Sequence, residues 1–296
     1  MSLMLRHRID RLMSYHLAER LPQQGLALAR GNGLSAYWFR ETLNFGDLLT
    51  PAILRHHGFT PVHAYPDRAQ LTATGSVLEH LTEQYRGTIL GSGFIDARST
   101  RRFTGARIVG LRGALSRDRI EGLGDGVILG DPGLYATRLL VGGTEKRPSL
   151  PAPSHAFGLV AHHAHLDAPE FAALKARHGT AIRVISPAAP PAQVIAQIAT
   201  CERIASASLH GLIAADALGL PAIWLAAPGL IGGRFKFDDY ASAVARRGWE
   251  PVALTGLENL ADLRALASCA PQDAIDGTIT GLASAFTQFA EEVAFT

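Results

Sequence analysis

Ser208-Leu209-His210-Gly211 brings together groups that chemistry can use. The imidazole of His210 can give and take a proton near neutral pH. Ser206 and Ser208 add hydroxyls, Gly211 lets a ligand approach the backbone, and Ser208 is a natural helix cap. His210 reads two ways from this stretch. It is a packing or capping residue, or it is a proton-transfer group or anion ligand beside the free N–H groups of a helix N-terminus.

Other polar residues recur where short apolar runs end. Asn44-Phe45-Gly46-Asp47 precedes Leu48-Leu49, with Asp47 placed as a helix cap. Gly91-Ser92-Gly93 follows Thr88-Ile89-Leu90, and Arg112 and Arg117 follow the run Arg107–Leu111. Asp131 sits between Gly130 and Pro132. Each has a plain alternative: a tight turn, a solvated arginine, an aspartate that fixes its loop. His162, His163 and His165 are spaced as metal ligands can be, yet no carboxylate motif accompanies them. They read as groups that assist substrate, or as surface histidines.

The elements that must position these groups alternate regularly. Arg203-Ile204-Ala205 is a short buried strand. Leu209, Leu212, Ile213 and Ala217 recur at helical spacing, Gly219 stops the helix, and Ala222–Leu225 is a second strand. Strand, helix and strand in so few residues make a parallel crossover. Strands are also expected at 35–39, 71–74, 88–90, 107–111, 127–129, 157–160 and 181–185. Helices are expected at 48–54, 169–177, 191–199 and 276–295, and Gln23–Gly33 reads as a glycine-containing loop. Val141–Ala156, rich in Pro, Gly and Ser, is the best boundary. Residues 1–145 and 156–270 then form two doubly wound, Rossmann-like α/β domains facing a cleft. Residues 271–296 supply a helix that packs back on the first.

The 296 residues are 47% hydrophobic and 18% charged, which is globular composition. A net charge of +2 gives no reason to expect nucleic acid. Cys201 and Cys269 show neither CxxC nor zinc spacing and fit a reducing cytoplasm. No run of 18 apolar residues is present. Leu3, Leu5, Ile9, Leu12, Met13 and Leu17 form one face of a basic amphipathic helix, either packed on its own domain or resting on a membrane surface.

Taken together, the motifs resemble the polysaccharide pyruvyl transferase family. The matching residues are Asn44-Phe-Gly-Asp47, Gly91-Ser-Gly93, Arg112-Gly-x-x-Ser-Arg117, Leu129-Gly-Asp-Pro132, Ser208-Leu-His-Gly211, Ala215-Asp216-Ala-x-Gly219-x-Pro221 and Lys236-Phe-x-Asp-Tyr240. The resemblance implies a glycosyltransferase-B-like fold. It also implies transfer of pyruvate from phosphoenolpyruvate to a sugar diol of an exopolysaccharide or cell-surface glycan precursor, as a cyclic ketal. His210 and Asp47 would then be catalytic. Asn44, Gly46, Gly91, Ser92, Gly93, Arg112, Arg117, Asp131, His162, Ser208, Leu209, Gly211 and Lys236 would bind substrate. No metal or other cofactor is implied. The enzyme is expected in the cytoplasm, or at the cytoplasmic face of the inner membrane where the acceptor is lipid-linked. Some members carry Arg-Leu-His where this chain has Ser208-Leu209-His210, which leaves the donor's cation to Arg112, Arg117, Arg203, Arg234 or Lys236. A nucleotide-sugar glycosyltransferase of the same fold, and a non-catalytic relative, are the alternatives.

Overall fold

The computed structural model describes residues 20–142, 147–161, 169–226, 229–253 and 259–294. The basic N-terminal pattern up to residue 19 and His162, His163 and His165 lie outside the described residues.

Two sheets, parallel in every pairing, organise the chain. The first contains β1 (Gly33–Tyr37), β2 (Thr60–His63), β3 (Leu71–Thr72), β4 (Thr88–Leu90), β5 (Arg107–Leu111) and β6 (Ile128–Leu129), in the order β2-β1-β3-β4-β5-β6. The second contains β7 (His155–Val160), β8 (Ile182–Ile185), β9 (Cys201–Ser206) and β10 (Ala222–Trp224), in the order β10-β9-β7-β8. Central strands such as β4 are buried at every residue, as expected where helices cover both faces. The α/β class and the parallel sheets agree with the sequence reading.

The connecting helices are α1 (Leu21–Arg30), α2 (Leu49–His56), α3 (Ala114–Arg117), α4 (Gly133–Leu140), α5 (Pro169–His178), α6 (Pro191–Ile198), α7 (Leu209–Leu218), α8 (Phe235–Ala243), α9 (Leu260–Leu266) and α10 (Gln272–Ala294). In α7 all ten residues are buried, so the helix is apolar all round rather than striped. Gly219, at φ 70°, ends it in the left-handed conformation that glycine adopts without strain.

Three local expectations change. Gln23–Gly33 is largely helix rather than loop: Pro22 occupies the first turn, and Leu, Gln and Ala outweigh the helix cost of Gly25. The turn expected after Asp131 opens into α4. Asp47 does not cap α2; Leu48 holds the cap position and no side chain bonds there.

One core runs from Leu34 and Ala36 in β1, through Leu134 in α4 and Leu212 in α7, to Ile185 and Ile204 in the second sheet. Arg138 of α4, wholly buried, donates to the Ala217 carbonyl at 3.0 Å and pairs with Asp276 of α10. Farther along α10, Glu292 pairs with Arg107 of β5, so the C-terminal helix lies on the first sheet. No described helix is long and apolar enough to cross a membrane.

Candidate active site

In an open parallel sheet a crevice forms where neighbouring strands send their connections to opposite sides, and ligands bind at the carboxyl ends there. The first sheet has that point between β1 and β3, the second between β7 and β9. A cavity of about 370 Å³ lies at the carboxyl end of both. Phe39, Thr42, Asn44 and Asp47 line it after β1, and Ser76, Val77 and His80 line it after β3. Ser208, Leu209 and His210 enter from the first turn of α7 after β9, and Lys236 from α8. Its size is that of an ordinary small-ligand site.

The His210 ring is held from three sides. A Cβ built at Gly46 would lie 2.0 Å from its Nδ1 and 2.2 Å from its Cγ, so the Gly46 backbone packs on the ring and only glycine fits there. Gly133 packs beside Cδ2, and the Phe45 ring approaches edge-on at 6.3 Å. Nε2 lies 3.7 Å from Asp131 Oδ1. Burial pushes the His210 pKa below 6.5; Asp131 pulls it up, while Arg112 and Lys236 push it further down. The imidazole is therefore neutral at pH 7.

Asp47 behaves in the opposite sense. Burial pushes its carboxyl up to about 7; Lys236 and a hydrogen bond from Asn44 resist the rise, and Asp131 adds to it. Asn44 also accepts from the Gly46 N–H at 3.2 Å, which ties the loop that carries both residues. Burial pushes Lys236 down to about 8, helped by Arg112 and opposed by Asp47. The cavity thus holds a carboxyl whose pKa is raised to about 7 and an imidazole whose pKa is depressed, the kind of perturbation that marks candidate functional sites.

Several residues expected to touch substrate make contacts within the fold. Arg112 is wholly buried; it pairs with Asp239 of α8 at 2.8 Å and donates to Ser76 Oγ and the Phe94 carbonyl. Gly93 is small because that guanidinium lies 2.5 Å from where its Cβ would be. Gly91, at φ 102°, makes room for the Pro132 ring, and Ser92 donates to the Ala73 carbonyl at 2.6 Å. Arg117 pairs with Asp118 and Asp125 and does not line the cavity. Gly211 leaves space for Ser206 Oγ, which accepts from the Ser208 N–H at 3.0 Å. Asp131 receives the Gly133 N–H at 2.8 Å and faces His210 from behind, outside the cavity lining.

The cation question raised by Ser208 has a geometric answer. Among the described residues lining the cavity, Lys236 is the one lysine or arginine. Arg203 pairs with Glu202, and Arg234 with Asp238 and Glu250. Ser76, His80, Phe39 and Thr42 were not singled out from sequence as site residues. Ser76 had a signal, since Gly75-Ser76 ends an apolar run; His80, in a one-turn segment after Val77, had none. Among the described residues, no three His, Cys, Asp or Glu side chains stand together as a metal site.

Fold and cavity define an α/β protein of parallel sheets with a cavity at strand carboxyl ends lined by Asp47, His210 and Lys236. Residues 88–227 match the family model for polysaccharide pyruvyl transferase. The resemblance drawn from the motifs is thereby shown for the segment from β4 to the end of β10. Among curated proteins none matches the chain. Asn44–Asp47 and Lys236 fall outside the matched segment, yet they line the same cavity as Ser208–His210, which falls inside it.

Proposed function

We propose that the cavity binds phosphoenolpyruvate and transfers its three-carbon unit to two hydroxyls of a sugar, forming a pyruvate ketal and releasing phosphate. The observation that supports this reading is one cavity lined by Asp47 with its pKa raised to about 7, His210 with its pKa depressed, and Lys236, in a chain whose residues 88–227 match a pyruvyl transferase family. The two sheets contributing to one cavity fit a glycosyltransferase-B-like arrangement.

In this mechanism Lys236 and the first-turn N–H groups of α7 hold the donor's anionic groups. Asp47 delivers a proton to the methylene carbon, which becomes methyl, and positive charge develops on the adjacent carbon. A sugar hydroxyl adds there as His210 takes its proton. The bond to phosphate oxygen breaks, and the second hydroxyl closes the ring. Of the two hydroxyl protons, one restores the proton that Asp47 gave to the carbon and the other leaves with phosphate. This apportioning gives the base role to His210 and the acid role to Asp47. The acceptor is a sugar diol of a glycan precursor, free or lipid-linked, the latter bringing the enzyme to the inner membrane's cytoplasmic face.

The test is phosphate release from phosphoenolpyruvate with an acceptor panel, read alongside a mass gain of one pyruvyl unit. His210→Ala is expected to abolish turnover while the fold stays intact. The rate should fall below the depressed His210 pKa, where the base becomes charged. It should fall again above about 7 to 8, where Asp47 and then Lys236 lose their protons. Thermal stabilisation by a nucleotide sugar but not by phosphoenolpyruvate would replace this reading with glycosyl transfer.

A further inference from the structure

Two buried polar atoms beside the cavity have no hydrogen-bond partner: His210 Nε2 and Asp131 Oδ2. They belong to side chains that face each other at 3.7 Å. Asp131 is wholly buried and His210 is 6% exposed. An unmade hydrogen bond at such a place costs about 1–3 kcal/mol, so a small approach of the Asp131 carboxylate to Nε2, now 3.7 Å from Oδ1, relieves it. Bonds of this kind are often long before substrate arrives and tighten in the working complex.

The surroundings dictate which proton the pair shares. Asp131 Oδ1 already accepts from the Gly133 N–H at 2.8 Å, and this anchors the carboxylate. The following Pro132 is seated against Gly91, so the loop cannot swing away from the ring. A carboxylate facing Nε2 favours the tautomer with its hydrogen there. The other nitrogen, Nδ1, belongs to the same ring, which lines the cavity and packs by one face against Gly46.

We propose that Asp131 is the positioning residue of the site: it holds the proton of His210 on Nε2, so that Nδ1 is the nitrogen that takes the acceptor hydroxyl's proton. The catalytic base is thus one specified atom, selected by the carboxylate that faces the other nitrogen. The assignment rests on the proposed function for the identity of the reacting hydroxyl, but not for the tautomer itself.

Asp131→Asn tests it. The amide oxygen can still accept from Gly133 and keep the loop, while the negative charge behind Nε2 is gone. We expect kcat to fall about 10²-fold or more with KM little changed, as for a base left without its orienting carboxylate. Nitrogen-15 NMR of histidine-labelled full chain, with His210 assigned by its loss in His210→Gln, reads the tautomer without any substrate. The wild-type protein should carry the proton on Nε2 alone. In Asp131→Asn the proton should spread to Nδ1 and the His210 titration should move to lower pH, since Arg112 and Lys236 remain as its facing charges. A wild-type ring protonated on Nδ1, or an Asp131→Asn enzyme with unchanged kcat and titration, overturns the proposal. If phosphoenolpyruvate proves not to be a substrate, the NMR result still decides the tautomer.

Discussion

Asp47 shows how far a single residue can be judged from its neighbours in sequence. Its position before Leu48-Leu49 fits a helix cap, and capping is what local pattern predicts for an aspartate there. The structure instead gives that carboxyl to the cavity, where burial rather than spacing decides its chemistry. The charge it carries at high pH has a measurable cost. The folded protein holds the Asp47 proton up to about 7, whereas an unfolded chain releases it near 3.8. Between those values the native state binds more protons than the unfolded one, so this group destabilises the fold increasingly as pH rises. Asp47→Asn removes the penalty. The variant is expected to melt above the parent at pH 8, by at least the ~1.4 kcal/mol that one factor of ten in protonation represents, and the gap should shrink towards pH 5. A gap that does not change with pH would show that the carboxylate ionises freely in the folded state. His210 was legible as a candidate from its helix-start position. Its neutral state was not, because burial and the distances to Asp131 and Arg112 are properties of the folded chain.

Arg112 and Arg117 both have carboxylate partners within the fold. Arg112 at the end of β5 and Asp239 in α8 form a buried pair that clamps the strand end to the helix carrying Lys236. The same carboxylate also receives the Ser116 N–H at 2.8 Å and the Ser116 hydroxyl at 2.6 Å, so α3, β5 and α8 share one anchor. A motif arginine that binds substrate and one that braces two elements look identical in sequence, and only the position of Asp239 separates them. The consequence can be measured. Breaking a buried pair by removing one partner costs about 3–5 kcal/mol. Arg112→Met is therefore expected to lower the melting temperature sharply, with any kinetic loss following from a displaced Lys236. Arg117→Ala, which gives up only exposed pairs, should leave KM unchanged and stability within about 0.5 kcal/mol. A raised KM in Arg117→Ala at full stability would return that residue to the donor site. The glycines at 91 and 93 follow the same logic: they are small because Pro132 and Arg112 must approach them.

At the scale of the whole molecule, the alternation of strands and helices was readable because buried parallel strands are short apolar runs and their helices carry recognisable stops. β2 was missed: Thr60-Pro61-Val62-His63 is mixed in character and follows a glycine-marked turn. The join between the two sheets was the part hidden from sequence. The Pro-, Gly- and Ser-rich stretch at 141–156 reads as a boundary between two domains, yet the core is continuous from β1 to β9 through α4 and α7. Long-range ties cross the same divide: the Phe45 N–H donates to the Pro187 carbonyl at 2.8 Å, and Arg112 reaches Asp239. A chain built this way should unfold as one cooperative unit, since neither sheet keeps its apolar surface covered when the other leaves. Residues 151–154 are exposed, which makes them a place to cut without disturbing that core. With a protease site engineered there, the cleaved halves are expected to co-elute as one particle and to melt in a single transition, somewhat below the intact chain because the connection no longer limits the unfolded state. Halves that separate on a sizing column, or two resolved calorimetric peaks, would mean that the sheets are independent bodies. The cavity between their strand ends would then depend on the connection at 141–156 to hold it together.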